Sequence, residues 1–144
     1  ILTDDPDAYK RNLEQQSRWE YGHHGLVSVT LRPLKYEWEW IDGKKTPIRS
    51  SRREKGIDVM CALALVRLAR SRQFDVVVLA SRDTDLAPAL DEAHKLNVAK
   101  VEAAKWYAPS ERRTFGNIKT EARIWTTSMN RDHFMASLDT FPYA

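Results

Sequence analysis

The run Val76-Val77-Val78-Leu79-Ala80 passes straight into Ser81-Arg82-Asp83-Thr84-Asp85 and then Leu86-Ala87-Pro88, and this junction limits the folds open to the chain. Residues 76–80 have the length and β-branched content of a buried strand, and residues 86–96 have helical spacing. A strand that yields at once to a helix is the first half of a β–α–β unit. It places Asp83 and Asp85 at the carboxyl end of a central strand, where open α/β sheets bind their ligands. Carboxylates this close repel each other unless something positive joins them. A hard divalent cation such as magnesium suits them, because it prefers oxygen ligands.

The surrounding pattern extends the unit. Val98 to Ala103 reads as a second short strand, so that residues 75–103 form β–α–β with parallel strands and a right-handed crossover. Ile57 to Arg70 is apolar on nearly every side and predicts a buried helix. Asp5-Pro6 is a good helix start, a side-chain cap followed by proline at the first helical position. Tyr9, Leu13 and Trp19 then share one face to about Glu20. Val27, Val29 and Leu31 alternate with Ser28 and Thr30, which predicts a strand over 26–31. Residues 32–54 lack a clean period and read mostly as an extended loop. Residues 104–118 read as polar and irregular, Arg123 to Thr127 as a last strand, and Asp132 to Leu138 as a terminal helix.

With 144 residues, 42% of them hydrophobic and 30% charged, the chain is long enough for one globular domain spanning 1–144 with a real core. The lone Cys61 lies in an apolar run and reads as a small core residue, which excludes a disulfide framework and a thiolate metal cluster. No apolar stretch approaches the length of a membrane span. No signal peptide is seen, so a cytoplasmic location is expected. The start at Ile1 rather than methionine suggests a fragment or a trimmed product.

Each acid has an ordinary use as well as a chemical one. Asp58 opens the apolar helix, where the helix dipole favours a carboxylate. Asp85 precedes Leu86-Ala87-Pro88 and suits a helix cap. Asp83 is harder to explain that way, since one helix needs one cap. Other Asp-x-Asp chemistries compete. A phosphatase of the haloacid dehalogenase type uses this pattern after an apolar strand, but on its first strand and with small residues following. A glycosyltransferase match is weaker still, with no nucleotide-binding unit upstream.

Taken together, Lys55-Gly56-Ile57-Asp58-Val59, the apolar helix, and Phe74-Asp75 through Ala89-Leu90 resemble the NYN domain family, relatives of PIN-type ribonucleases. Asp5 to Tyr9, Arg18-Trp19-Glu20, Arg32 to Tyr36, Val101-Glu102 and Ile124-Trp125 also fit. The likeness is specific around 54–90 and loose after 104. It implies a three-layer α/β/α Rossmann-like (PIN-like) sandwich with a mostly parallel central sheet. It also implies an acidic cluster that binds Mg2+ or Mn2+, and cleavage of RNA by metal-assisted hydrolysis. By motif match, Asp58, Asp83 and Asp85 are the catalytic, metal-holding acids, and Ser81 and Arg82 stand beside them toward substrate. The chain departs from the family at three points. No first strand ending in aspartate precedes Ile1, Ala64 stands where many members carry aspartate, and Arg82 replaces a common glycine. A guanidinium there either holds a substrate phosphate or pairs with an acid. The alternative reading is therefore a non-catalytic RNA-binding or assembly module with an incomplete acid set. The haloacid-dehalogenase-like phosphatase ranks third.

Lys44, Lys45, Arg49, Arg52, Arg53 and Lys55 crowd the approach to Asp58 against one acid, Glu54. A polyanionic substrate needs positive charge beside an acidic cluster, which makes Arg52, Arg53 and Lys55 candidate phosphate contacts. A solvated charged loop is the ordinary alternative. Tyr36, Trp38 and Trp40 alternate with glutamates and would share one face, for base stacking, for packing on the sheet or for a homodimer contact. Trp106, Tyr107 and Arg112-Arg113 repeat the mixture. His23 and His24 read as a solvated turn, and His94 and His133 as superficial.

Overall fold

The structure, a computed structural model, describes residues 6–143. The chain divides into two compact units, Ile1–Ile57 with Thr140–Ala144, and Asp58–Asp139.

The first unit opens with helix α1, Pro6–Gly22. The proline at its start needs no intrahelical partner for its missing N–H. The expected cap, Asp5, lies outside the described residues. The helix runs one half-turn beyond the predicted end, and His23 Nδ1 then lies 2.6 Å from the Trp19 carbonyl oxygen, closing one of the last open acceptors. The strand predicted over 26–31 does not form. Val29 instead donates its N–H to Glu20 Oε1 at 2.7 Å and accepts from Gln16 Nε2 at 2.8 Å. Side chains of α1 thus take the backbone groups a neighbouring strand would take. The alternation still marks the faces, with Val27 and Val29 half-buried and Ser28 and Thr30 exposed.

Residues 32–54 are not simply a loop. Strand β1, Trp38–Ile41, pairs antiparallel with β2, Lys44–Pro47, in the register Trp38 to Pro47 and Ile41 to Lys44. The connection is Asp42-Gly43, with φ of 49° and 74°. Two successive positive φ values make the mirror-image turn that matches strand twist. Trp38 and Trp40 project from the hairpin at 53% and 75% exposure, and Lys45 Nζ sits 5.4 Å from the Trp38 ring centre. Tyr36, before the strand, is half-buried. Lys35 and Arg53 exchange backbone hydrogen bonds of 2.9 and 3.0 Å below the hairpin. Gly43→Ala should cost about 1 kcal/mol, since an L side chain resists the left-handed region. Faster amide exchange confined to β1 and β2 would register it.

The second unit carries helix α2, Ile57–Arg70, then strand β3, Val76–Ala80, helix α3, Ala87–Lys95, strand β4, Lys100–Trp106, strand β5, Trp125–Met129, and helix α4, Arg131–Ala136. The strands form a parallel sheet in the order β3-β4-β5, with Ala80 beside Ala104 and Trp106 beside Met129. The predicted β–α–β unit is therefore present. Its first strand is not central, however: β4 is, and β3 lies at the edge of this sheet. Its alternation follows, with Val77 and Leu79 buried against the helices and Val76 and Val78 exposed by 43% and 54%.

The core gathers Leu65 and Ala69 of α2, Leu90 and Ala93 of α3, and Val77, Leu79 and Val101 of the sheet. Cys61 is half-buried and packs against this cluster, as expected of a small core residue. Helix α2 is not buried all round. Val59 and Leu63 remain 56% and 66% exposed, because the sheet offers it a single face to cover. Two layers are present in this unit, since the sheet face bearing Val76, Val78 and Trp125 is exposed. The mixed α/β class stands, and the third layer of the expected sandwich is not seen there.

The stretch 104–118 is more ordered than predicted. Strand β4 continues to Trp106, and a 3-10 turn covers Arg112–Thr114. Side chains fix the rest. Lys105 donates to the Phe115 and Gly116 carbonyls at 2.6 and 3.1 Å. Asp91 of α3 accepts from the Glu121 and Ala122 N–H groups at 2.9 and 3.3 Å.

Candidate active site

The junction between β3 and α3 is a 3-10 turn, Thr84–Leu86, anchored by Leu86, which is 4% exposed. Ser81 Oγ accepts from the Asp83 N–H at 3.1 Å, and Asp83 Oδ1 accepts from the Asp85 N–H at 3.0 Å. Asp85 thus does not cap α3, whose N-cap position, Leu86, makes no side-chain hydrogen bond; Asp83 instead caps the 3-10 turn that leads into the helix. The other oxygen of Asp83 and the whole Asp85 carboxylate make no protein hydrogen bond among the described residues. Both acids are exposed at the carboxyl end of β3. Two acceptor-rich groups held on a rigid turn, at the edge where parallel sheets receive ligands, can bind a cation or a donor-rich substrate.

Asp58 occupies the exposed first turn of α2. Residues 71–75 are too few to do more than reverse the chain, so the start of α2 and the carboxyl end of β3 lie at the same end of this layer. They do not close into one ligand set: among the described residues, no three His, Cys, Asp or Glu side chains are grouped to hold a metal ion. The expected three-acid cluster is therefore not assembled. Asp83 and Asp85 are neighbours on one turn, joined by the Asp85 N–H to Asp83 Oδ1 bond.

Arg82 is exposed beside the acids. Lys105, which sequence reasoning passed over, is 6% exposed on the core side of β4. Burial pushes its amine below the ordinary lysine range, and the nearby Arg82 charge pushes the same way. The signal was available in Val101-Glu102-Ala103-Ala104-Lys105, where the lysine keeps the inward period of Val101 and Ala103. Because its folded pKa is depressed, the folded state binds fewer protons than the unfolded chain between that value and 10.5, and stability should rise with pH across the window. Lys95 works oppositely. Its hydrogen bond and ion pair with Glu121, at 2.9 Å, raise its pKa, so its contribution is present below 10.5 and lost above the raised value. That pair is exposed and screened by salt. Urea unfolding in about 0.5 M salt should show a positive slope toward pH 10.5 that Lys105→Met flattens. An unchanged slope would contradict the assignment.

The remaining sequence-predicted contacts lie in the first unit. Arg53 pairs with Glu37 at 3.3 Å, Lys55 is exposed, and Arg52 lines a cavity of about 490 Å³ with Arg32, Tyr9 and Tyr36. His23 and His24 occupy the turn after α1. His133 is exposed and does local work, closing a reciprocal cap with Asn130 at the start of α4.

Compared with known proteins, the chain matches the NYN domain model over residues 9–131, most of its length. It belongs to the NYN domain family. NYN domains are PIN-like, a family nuclease in kind that acts on RNA, and PIN-like nucleases generally use divalent metals. Neither the curated proteins nor the solved structures contain a significant match to the chain. The resemblance carried by residues 54–90 thus extends over both units of this NYN domain. Among its described residues, no helix is long and apolar enough to cross a membrane.

Proposed function

We propose that this NYN domain is a divalent-metal-dependent ribonuclease whose reacting centre is the turn after β3. The observation that carries the reading is the pair Asp83 and Asp85, exposed on a hydrogen-bonded turn at the carboxyl end of a parallel strand. Magnesium keeps several waters and is commonly held by one or two carboxylates together with substrate phosphates. The free oxygens of Asp83 and Asp85 fit that demand without a third acid, and Asp58, at the same end of the layer, is proposed as a further acceptor for substrate or its bound water. Such a cation, when bound, lowers the pKa of water and offsets charge on phosphoryl oxygens.

The chain's own residues do the rest. Ser81 and Asp83 lock the turn, so the backbone that carries both carboxylates is set before substrate arrives. Arg82 offers a bidentate donor to a phosphate. Lys105 adds positive potential behind it. Arg52, Arg53 and Lys55 are proposed as further phosphate contacts of the domain.

The second reading, a non-catalytic RNA-binding or assembly module, draws support from the ungrouped acids. A panel of single-stranded and hairpin RNAs incubated with manganese, magnesium or chelator separates the two. Cleavage that needs metal supports the ribonuclease. Salt-sensitive binding without cleavage supports the module. Turnover of a small phosphate ester with RNA left intact would favour phosphatase chemistry over both.

A further inference from the structure

A concave pocket of about 710 Å³ opens where β4 and β5 end, walled by Trp106, Tyr107, Phe134 and the 108–110 backbone, with Arg131 at its rim. We infer that this pocket receives one unstacked base of a single-stranded RNA, next to the phosphodiester presented to Asp83 and Asp85. The inference rests on the reading of the domain as one that acts on RNA, and it names the form of that substrate.

Position is the first argument. In the parallel register Ala80 lies beside Ala104, so Trp106 is two residues further toward the edge on which Asp83 sits. Neighbouring strands are about 4.8 Å apart. The acid turn and the pocket therefore open on the same edge of the sheet, separated by roughly one or two strand spacings. A nucleic acid strand crossing that edge meets both.

Chemistry is the second. Trp106 and Phe134 are 46% and 48% exposed and meet edge to face, with centres 5.9 Å apart and planes at 81°. That arrangement leaves ring surface open to a third flat ring. The walls are mainly apolar, so the occupant is flat and uncharged rather than a phosphate. The rim has the opposite character. Arg131 makes no ion pair among the described residues. An uncharged aromatic head on an anionic backbone satisfies wall and rim together, which a lipid tail or an apolar peptide side chain does not. Base stacking of this kind tolerates any sequence but requires an unpaired base.

Preorganisation is the third. The Tyr107 N–H donates to the Met129 carbonyl at 2.7 Å. Thr114 Oγ1 accepts from the Ala108 N–H at 3.0 Å and donates to its carbonyl at 2.9 Å. The Asn130 side chain caps α4. The walls stand before a ligand arrives, which limits the ordering cost of binding.

The test is binding by fluorescence anisotropy in chelator, using a short labelled single-stranded RNA, its duplex, and copies of the single strand with one base at a time made abasic. Phe134→Leu fills the space without an aromatic face, and thermal melting checks that it folds. Wild-type protein should lose affinity sharply when one particular base is missing. Phe134→Leu should bind the intact single strand about tenfold more weakly, bind the duplex as wild type does, and be indifferent to the same abasic site. Equal abasic penalties in the two proteins, or a parallel loss on single strand and duplex, would overturn the pocket. If wild type cuts this RNA with manganese while Phe134→Leu keeps full single-strand affinity, the pocket assignment fails and the nuclease stands. If wild type neither binds nor cuts, both fall.

Discussion

Asp83→Asn should leave the domain folded and reduce metal-dependent RNA cleavage by about 10²–10³-fold, the rate equivalent of losing a few kcal/mol of charge stabilisation. The substitution separates two jobs of one side chain. Asp83 Oδ1 accepts the Asp85 N–H, and an asparagine oxygen can accept the same bond. Asparagine and aspartate are nearly equal as caps, so the melting temperature should barely move. What asparagine lacks is the second anionic oxygen, the one the protein leaves unused. Asp83→Ala removes cap and charge together and should add a stability loss of about 0.5–2 kcal/mol. Cleavage rates in manganese, with thermal melts of the same preparations, give both readings. Cutting by Asp83→Asn at the wild-type rate would remove Asp83 from the chemistry and, with it, the main support for the ribonuclease.

The parts of the fold legible in the sequence were those whose pattern reports burial. Residues 76–80 and 86–96 read correctly because Val77, Leu79, Leu86 and Leu90 face one core. The match over residues 9–131 shows that the family, too, was legible in the sequence, where residues 54–90 carried the resemblance. What failed depended on partners that periodicity does not encode. The alternation over 26–31 describes an extended backbone equally well whether its hydrogen bonds go to a strand or, as here, to Gln16 and Glu20. The apolar circumference of α2 suggested burial on all sides, yet Leu63 stays exposed because a helix on a sheet covers only one stripe. The hairpin at 38–47 was a different kind of miss, since Asp42-Gly43 between two short runs is a recognised turn signal. At the site, the turn chemistry of Ser81, Asp83 and Asp85 lies within five residues and is local. Lys105 gains its meaning only from β3 and β4 pairing in space. Whether Asp58 joins the other acids depends on side-chain positions that spacing cannot supply.

Leu90→Ala should be the most damaging single change to the second unit, costing about 3–5 kcal/mol, the upper part of the range for such truncations. Leu90 is the largest side chain in the molecule that is fully buried, at 0% exposure among the described residues. Its surroundings explain why the loss would be high. Ala69, Ala89, Ala93, Ala99 and Ala103 supply much of the remaining core, so backbones already approach closely and little side-chain volume is free to relax into a void. A cavity left between α3 and the sheet would persist, and the cost of such truncations grows with the cavity that remains. Against a typical domain stability of about 5–15 kcal/mol, this is a large fraction. Leu63→Ala, on the uncovered side of α2, should stay within about 0.5 kcal/mol. Urea unfolding of both variants tests the contrast, and a Leu90→Ala loss below about 1 kcal/mol would mean that the helix–sheet interface closes over the gap. The consequence reaches the acids. Leu86 holds the Asp83–Asp85 turn by packing into the same cluster as Leu90, so a loosened α3 frees the turn at its root. Leu90→Met preserves most of the volume and should keep both stability and cleavage, which would identify filled space at Leu90 as what keeps two like charges fixed at the end of β3.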